Sequence, residues 1–285
     1  MSLPNHILTL SCPDRPGIVH SVSGFLLERG GNILDADQFN DPETGLFFMR
    51  VHFSCHRAEY DLHRLRAEFG EFSGQFAMIW QLHDTTRKSK VVILVSQHGH
   101  CLNDLLYRYH TNHLAIEIPA VISNHKDFYQ LAASYNIPFH HLPVTRDSKP
   151  QQEARILEIV REVEADLVVL ARYMQILSAD LCRELNGKAI NIHHSFLPSF
   201  KGARPYAQAH QRGVKLIGAT AHFVTTDLDE GPIIEQDVAR IDHSMDTDTL
   251  TSIGRDVECM VLARAVKWYC EHRVMPNGGK TVIFQ

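Results

Sequence analysis

The residues with the clearest chemical potential are an asparagine and a histidine at the end of an apolar run, Asn191 and His193. The run Ala189–His193 has the composition of a buried strand, and alternation along a strand places both side chains on one face. An amide donor and an imidazole at a strand end can meet one substrate carbonyl, the amide at its oxygen and the imidazole as a proton carrier. The same side chains can instead satisfy backbone groups there, and the residues alone leave both interpretations open.

The acidic segment Asp227–Glu230 follows a second apolar run and supplies a candidate partner for the histidine. A carboxylate beside a histidine orients the imidazole and raises its basicity. Asp229 is the candidate for this role beside His193, whereas Asp227 and Glu230 are expected to belong to a solvated loop. The pairing of Asp229 with His193 is a hypothesis that rests on residue types alone.

Both motifs follow strands of a predicted α/β domain that begins at residue 91. Apolar runs alternate there with helix-like segments, which is typical of a largely parallel sheet. The predicted strands are Val91–Ser96, Ala115–Ser123, Phe139–Val144, Asp166–Ala171, Ala189–His193 and, as an antiparallel extension, Leu216–Thr225 and Ile233–Ile241. The predicted helices are Leu102–Tyr109, Asp127–Tyr135, Glu153–Ala165 and Thr247–His272. Because ligands bind beyond the carboxyl ends of parallel strands, both motifs lie where an active site is expected.

The first 83 residues predict a separate unit with the order βαββαβ, which is the ferredoxin-like pattern. Asp14 is expected to accept hydrogen bonds from the first turn of its first helix, and Pro16 suits an early position in that helix. The predicted strands are His6–Ser11, Ile33–Phe39, Leu46–Phe53 and Phe76–Leu82, and the second helix is Ala58–Phe69. Polar residues 84–90 predict a linker, and residues 91–285 are expected to form the second domain.

Composition limits the class of protein. A chain of 285 residues corresponds to about two domains, and 28 basic against 33 acidic residues give a net charge of −5. That balance argues against nucleic acid or an anionic membrane as the main partner. Six scattered cysteines predict reduced thiols, and no apolar run approaches the roughly 20 residues that span a bilayer. With no signal-peptide pattern at the start, a cytoplasmic protein is expected.

The segments NIHHSFLPSFKGA and AHFVTTDLDEGPII closely resemble the formyltransferase family that uses 10-formyltetrahydrofolate. The resemblance implies a Rossmann-like catalytic domain in which Asn191, His193 and Asp229 are catalytic and Gly231 contributes to the substrate site. The segment LARYMQIL resembles the strip that lines the folate pocket of the same family. It implies four further substrate-binding residues: Met174, Gln175, Ile176 and Leu177.

The segment DRPGIV, from Asp14 to Val19, resembles an ACT domain, a module that senses small molecules. The resemblance implies an amino-acid effector bound by Asp14, Gly17, Ile18 and Asn32. A purely structural role in pairing subunits stays open. An exposed sheet edge favours a homo-oligomer, either a dimer or a tetramer, under both interpretations. An ACT domain followed by a formyltransferase-like domain resembles the layout of the formyltetrahydrofolate deformylase family.

That resemblance implies hydrolysis of 10-formyltetrahydrofolate to formate and tetrahydrofolate, which supplies formate for purine synthesis and balances the one-carbon folate pools. The alternative is formyl transfer to an amine acceptor. Glycinamide ribonucleotide formyltransferases, which the second domain also resembles, bind their acceptor's phosphate at a Gly- and Ser-rich turn after the first strand. The matching turn here retains only Gly99, between His98 and His100, which disfavours a phosphoribosyl acceptor. A methionyl-tRNA acceptor is disfavoured by the acidic net charge.

The expected mechanism needs neither a metal nor a cofactor, because hydrogen bonds alone can activate a formamide and the folate is the substrate. Asn191 is expected to stabilise the oxyanion, His193 to join it or to move protons, and Asp229 to hold a water or His193. Despite nineteen histidines, the chain has no HExxH motif and no His/Cys set at zinc spacing. His194 and His222 are candidates for supporting roles. A dehydrogenase is set aside because GxGxxG is missing after the first strand of the second domain.

Overall fold

The computed structural model describes residues 5–57, 60–197 and 205–285. The predicted helix start at Ala58 and the predicted loop at Pro198 lie outside these residues. The chain forms two compact units. The N-terminal unit contains the residues up to 88 together with 272–277 and 282–285, and the second unit contains residues 89–271 and 278–281.

The N-terminal unit has the predicted βαββαβ order, with β1 (Asn5–Pro13), α1 (Ile18–Glu28), β2 (Gly31–Asp41), β3 (Leu46–Cys55), α2 (Leu62–Ser73) and β4 (Ile79–Asp84). Its four strands pair antiparallel in the order β2-β3-β1-β4. Leu8, Val22, Phe53 and Phe69 belong to the buried core between the sheet and the two helices. The ferredoxin-like prediction is therefore confirmed.

The predicted helix starts in this unit were wrong in detail. Helix α1 begins at Ile18, after Gly17, and has no side-chain cap. The carboxylate of Asp14 instead accepts a hydrogen bond from Asn40 Nδ2, so Asp14 does not cap the helix. Helix α2 begins at Leu62, because the Asp61 side chain accepts a hydrogen bond from the amide of Arg64 at 2.8 Å.

The second unit contains a seven-stranded sheet with the order β11-β10-β9-β8-β5-β6-β7. Its strands are β5 (Ser89–Val95), β6 (Ile116–Ser123), β7 (Phe139–His141), β8 (Leu167–Leu170), β9 (Ala189–His193), β10 (Leu216–Phe223) and β11 (Ile233–Arg240). Its helices are α3 (His100–His110), α4 (Tyr129–Ser134), α5 (Lys149–Glu162), α6 (Ala179–Glu184), α7 (Pro205–Arg212) and α8 (Thr247–Cys270). The short helices α6 and α7 were not predicted, because six to eight residues carry little periodicity. Among the described helices, none has the length and apolarity needed to span a bilayer.

The direction and register of the strands in this sheet bring the two predicted motifs to neighbouring strands. Strands β9, β8, β5, β6 and β7 run parallel, whereas β10 and β11 form the predicted antiparallel extension. The register of β9 with β10 pairs Asn191 with His222 and His193 with Thr220. The end of β9 is thereby brought beside β10, which leads into the acidic segment that contains Asp229.

Residues 91–285 were predicted to form one domain, but residues 272–277 and 282–285 belong to the N-terminal unit. Strands β12 (Val274–Asn277) and β13 (Lys280–Ile283) form a two-stranded sheet. Met275, Val282 and Phe284 cluster with Phe48 of β3 in the N-terminal unit. The Asn277 amide also donates to the Asp41 carboxylate at 2.7 Å. The predicted linker is shortened as well, since β4 ends at Asp84 and β5 begins at Ser89.

Candidate active site

A cavity of about 320 Å³ lies at the carboxyl ends of β8 and β9. Asn191, His193 and Asp229, the three predicted catalytic residues, all line it. Asp229 lies more than thirty positions after Asn191 and His193 in the sequence. The three residues meet because β9 and β10 are neighbours in the sheet. The structure therefore brings the two predicted motifs to one place.

His193 and Asp229 form the central polar pair of this cavity. The Nδ1 atom of His193 lies 3.3 Å from Asp229 Oδ1, and the imidazole is buried. Hydrogen bonding by the imidazole of His193 holds the pKa of Asp229 far below its ordinary value. Among the described residues, Nε2 of His193 has no hydrogen-bond partner, although it is buried. A buried polar atom without a partner in a cavity is expected to meet a bound molecule.

His222 joins the asparagine to this pair. Its Nδ1 lies 2.9 Å from the carbonyl oxygen of Phe223 and donates to it. Its Nε2 then accepts from Asn191 Nδ2 at 3.2 Å and lies 3.6 Å from Asp229 Oδ1. One hydrogen of the Asn191 amide is engaged in this way, which leaves the other for a ligand in the cavity.

The predicted folate strip lines the same cavity, with Met174, Gln175, Ile176 and Leu177 all contributing. Met174 and Ile176 are 54% and 63% exposed, so both present apolar surface at the cavity. The amide of Met174 donates to Ser96 Oγ at 2.9 Å, which ties the strip to the end of β5. An apolar surface beside a few polar groups suits a flat heteroaromatic ligand.

Gly231 does not line the cavity, in contrast to its predicted role in substrate binding. A Cβ atom at this position would lie 1.8 Å from the carbonyl oxygen of Phe223. The glycine therefore lets the chain return against the end of β10 and close the turn that carries Asp229. Asp229 itself adopts a left-handed backbone with φ 57°, which is uncommon for a residue other than glycine.

Two cavity-lining residues were given no firm role from the sequence. Arg172 is buried and has a left-handed backbone with φ 63°, a strained conformation for an arginine. His194 follows His193 directly, and the two rings stack with centroids 5.0 Å apart at 17°. Burial, and then the charge of Arg172, lower the pKa of His194 to about 4. The strained backbone at Arg172 could not be read from residue types.

A buried carboxylate, Glu258 on α8, compensates the charge of Arg172. It lies 3.4 Å from Arg172 Nε, 2.7 Å from His100 Nε2 and 2.5 Å from the hydroxyl of Tyr206. Burial alone would raise the pKa of Glu258, but these partners lower it below its ordinary value. Ligand atoms of His100, Cys101 and Glu258 lie within 4.8 Å of one another, a spacing compatible with a metal ion. The guanidinium beside the same carboxylate opposes a cation, so the cluster acts as an ion pair.

The turn after β5 differs from a phosphate-binding turn. At Gly99 a Cβ atom would lie 2.2 Å from the ring of Phe128, so this ring covers the glycine backbone directly. His100 turns its imidazole to Glu258 instead of leaving the helix N-terminus open. The backbone that would have to approach a phosphate is therefore covered by side chains.

The predicted effector residues lie around the start of α1 and the start of β2. Ile18 is only 2% exposed and belongs to the core, so its side chain is not available to an effector, contrary to the prediction. Asn32 is exposed, and Gly17 has open space beside it. Asp14 contacts Asn40, as described for the helix start. These residues stay a prediction for an effector site.

Comparison with known proteins finds matches to both units. Residues 89–266 match the family model of formyl transferases, and residues 6–60 match the model of ACT domains. A crystal structure of glycinamide ribonucleotide transformylase 1 from Symbiobacterium toebii is similar with a TM-score of 0.66 and 27% identity, covering 72% of this chain and 98% of that one. The second unit therefore has the fold of the formyl transferase family.

The similarity to deformylases is closer and extends over both units. The formyltetrahydrofolate deformylase of Corynebacterium sp. (strain P-1) is 51% identical over 280 residues, which is 98% of each chain. The crystal structure of formyltetrahydrofolate deformylase from Burkholderia mallei ATCC 23344 has a TM-score of 0.94 and 51% identity, and it covers 99% of this chain and 100% of that one. By the match of both domains over nearly the full length, the chain belongs to the formyltetrahydrofolate deformylase family.

Proposed function

We propose that this protein hydrolyses 10-formyltetrahydrofolate to formate and tetrahydrofolate. The observation that carries the proposal is the convergence of Asn191, His193 and Asp229 on one cavity. The Nε2 atom of His193 is buried there and has no hydrogen-bond partner among the described residues, so it is available to a ligand. The printed names of relatives at 51% identity support the same activity. The reaction breaks a C–N bond of a formamide.

Substrate binding follows from the two sides of the cavity. The apolar strip of Met174, Ile176 and Leu177 receives the flat ring system of the folate, and Gln175 offers a polar group at its edge. The formyl group then lies against the free hydrogen of the Asn191 amide. In this position its carbon faces the imidazole of His193.

The chemistry proceeds by addition of water to the formyl carbon. As the new C–O bond forms, negative charge collects on the formyl oxygen, and Asn191 donates a hydrogen bond to it. His193 Nε2 takes the proton from the water and passes it to N10, because an arylamine leaves only once protonated. Asp229 holds the imidazole through Nδ1 and stabilises its charged form. The C–N10 bond then breaks, which yields formate and tetrahydrofolate.

Formyl transfer to an amine acceptor is the second candidate, favoured by the structural similarity to a glycinamide ribonucleotide transformylase. Against it, the ring of Phe128 covers Gly99, and His100 together with Arg172 compensates Glu258. The turn after β5 therefore does not leave its backbone open to the phosphate of such an acceptor. The test is to incubate the protein with 10-formyltetrahydrofolate and no amine. We expect formate and tetrahydrofolate in equal amounts. Absence of formate, with transfer when glycinamide ribonucleotide is added, would overturn the proposal.

The remaining assignments extend the same proposal. The reaction needs the folate substrate alone, without a metal or cofactor, and it supplies formate for purine synthesis in the cytoplasm. The six cysteines, none of which forms a disulfide, agree with a reducing compartment. The N-terminal unit acts as a regulatory domain that binds an amino-acid effector, and the protein assembles as a homo-oligomer through its exposed sheet edge.

A further inference from the structure

The wall of the cavity beside His193 is formed by a second histidine that the mechanism above does not use. His194 lines the cavity, and its ring lies nearly parallel to that of His193. Neither of its ring nitrogens forms a hydrogen bond to another described residue. The side chain is thus anchored by stacking, while its polar atoms stay free for a molecule in the cavity.

The charges around His194 keep its ring neutral. Burial and the neighbouring charges of Arg172 and His193 disfavour the imidazolium, and the acids Glu258 and Asp229 oppose this effect only in part. With a pKa of about 4, the ring is uncharged throughout the neutral range. A neutral imidazole presents one nitrogen as an acceptor and one as a donor.

Arg172 supplies a donor on the same wall. Its guanidinium is buried, and among the described residues Nη1 has no hydrogen-bond partner, although Nε faces Glu258. Arg172 also lines the cavity. An acceptor and a donor that both line the cavity of Asn191 and His193 supply two of the polar partners that an ordered water requires.

We propose that His194 accepts a hydrogen bond from the attacking water and thereby selects water as the formyl acceptor. This inference rests on the proposed hydrolysis and deepens it. His194 holds the water and does not take its proton: the proton goes to His193 Nε2 and then to N10, while the water oxygen bonds to the formyl carbon and the C–N10 bond breaks. Arg172 donates to one lone pair of the same water, which directs the other lone pair toward the formyl carbon.

Two substitutions separate this role from mere packing. His194→Phe keeps a ring that stacks on His193 but has no acceptor, whereas His194→Gln loses the stack and keeps a carbonyl acceptor. We expect His194→Phe to lower kcat for formate release by about 10²-fold, with the dissociation constant for tetrahydrofolate within about threefold of the unmodified enzyme. His194→Gln should retain at least tenfold more activity than His194→Phe. Equal rates for His194→Phe and the unmodified enzyme would overturn the inference.

A stronger nucleophile provides the second readout. Hydroxylamine attacks the formyl carbon through nitrogen and gives formohydroxamate and tetrahydrofolate, with its proton moving to N10. Since it does not depend on a held water, we expect hydroxylamine to restore turnover in His194→Phe but not in Asn191→Ala, which lacks the oxyanion donor.

These measurements also separate the role of His194 from the proposed hydrolysis itself. Failure of hydroxylamine to restore His194→Phe, after subtraction of the reaction without enzyme, would place His194 in the general framework and contradict a water-binding role. If the unmodified protein releases no formate, the proposed function fails first. If the unmodified protein releases formate and His194→Phe releases it at the same rate, only the inference about His194 fails.

Discussion

At the scale of single residues, the orientation of the Asn191 amide depends on the hydrogen bonds that the two ring nitrogens of His222 form. Nδ1 is committed to the Phe223 carbonyl, so Nε2 can accept from the Asn191 amide. This contact fixes the rotation of the amide and so sets where its free hydrogen points. His222 is a positioning residue, because it acts on the substrate through Asn191.

Removing this acceptor should reduce turnover without weakening folate binding. We expect His222→Leu to lower kcat by about 10- to 100-fold, less than the 10²–10³ expected for loss of an oxyanion donor itself. KM should change little, since the folate strip is untouched. The matched variant His222→Gln carries a carbonyl that can accept from Asn191 and should recover most of the loss. Equal kcat for the Leu and Gln variants in a steady-state formate assay would exclude this role.

Residue types were enough to nominate Asn191, His193 and Asp229, but they were not enough to assign their partners. Alternation along β9 placed the first two on one face, and the sequence pattern showed this directly. The contact of His222 with Asn191 depends on the register between β9 and β10, which is a long-range property. The strained backbone at Arg172 is set by its surroundings, and no local signal indicated it.

At the scale of elements, the turn after β10 decides whether Asp229 reaches the site. The chain passes so close to Phe223 that only a glycine fits at position 231. The sequence indicated a Gly-Pro turn but gave it a role in substrate binding. Close backbone approach is invisible in a sequence unless the partner strand is known, which explains the error.

Adding one methyl group at this turn tests its packing role. We expect Gly231→Ala to lower the free energy of unfolding by about 1–3 kcal/mol, the usual cost of overpacking, and to lower activity by displacing Asp229. Gly74→Ala is the control, because a Cβ there meets no atom within 4 Å and φ is −59°. Urea unfolding of the control should match the unmodified protein. A Gly231→Ala protein as stable as the control would contradict the proposed close approach.

For the whole molecule, the division into two units was predictable and the path of the chain end was not. The change from a βαββαβ pattern to alternating strands and helices predicted a linker at residues 84–90, and the N-terminal unit contains the chain up to residue 88. The last residues carry too short a pattern to assign, and only burial against Phe48 shows that Met275, Val282 and Phe284 belong to the N-terminal unit. Their apolar side chains gain more from that surface than from solvent.

This return of the chain makes the N-terminal unit sensitive to acid. The ring of His272 stacks on His83 at 3.4 Å, and burial, then His83 and two arginines, lower its pKa to about 3. Because the unfolded chain binds a proton near the ordinary pKa of 6.5 and the folded one does not, stability falls as pH drops below 6.5. We expect the free energy of unfolding to decrease from pH 7 to pH 5, and less so in His272→Asn, which tolerates the left-handed φ of 55°. Identical slopes for the two proteins in urea titrations would contradict this assignment.

The central claim, that water is the acceptor of the formyl group, is tested most directly with isotopically labelled solvent. The protein is incubated with 10-formyltetrahydrofolate in H₂¹⁸O without any amine, and the formate is analysed by mass spectrometry. We expect formate to carry one ¹⁸O atom and to form in equal amount with tetrahydrofolate, and Asn191→Ala to slow this release by about 10²–10³-fold. Formate without the label, or no formate until an amine is supplied, would contradict hydrolysis at this site.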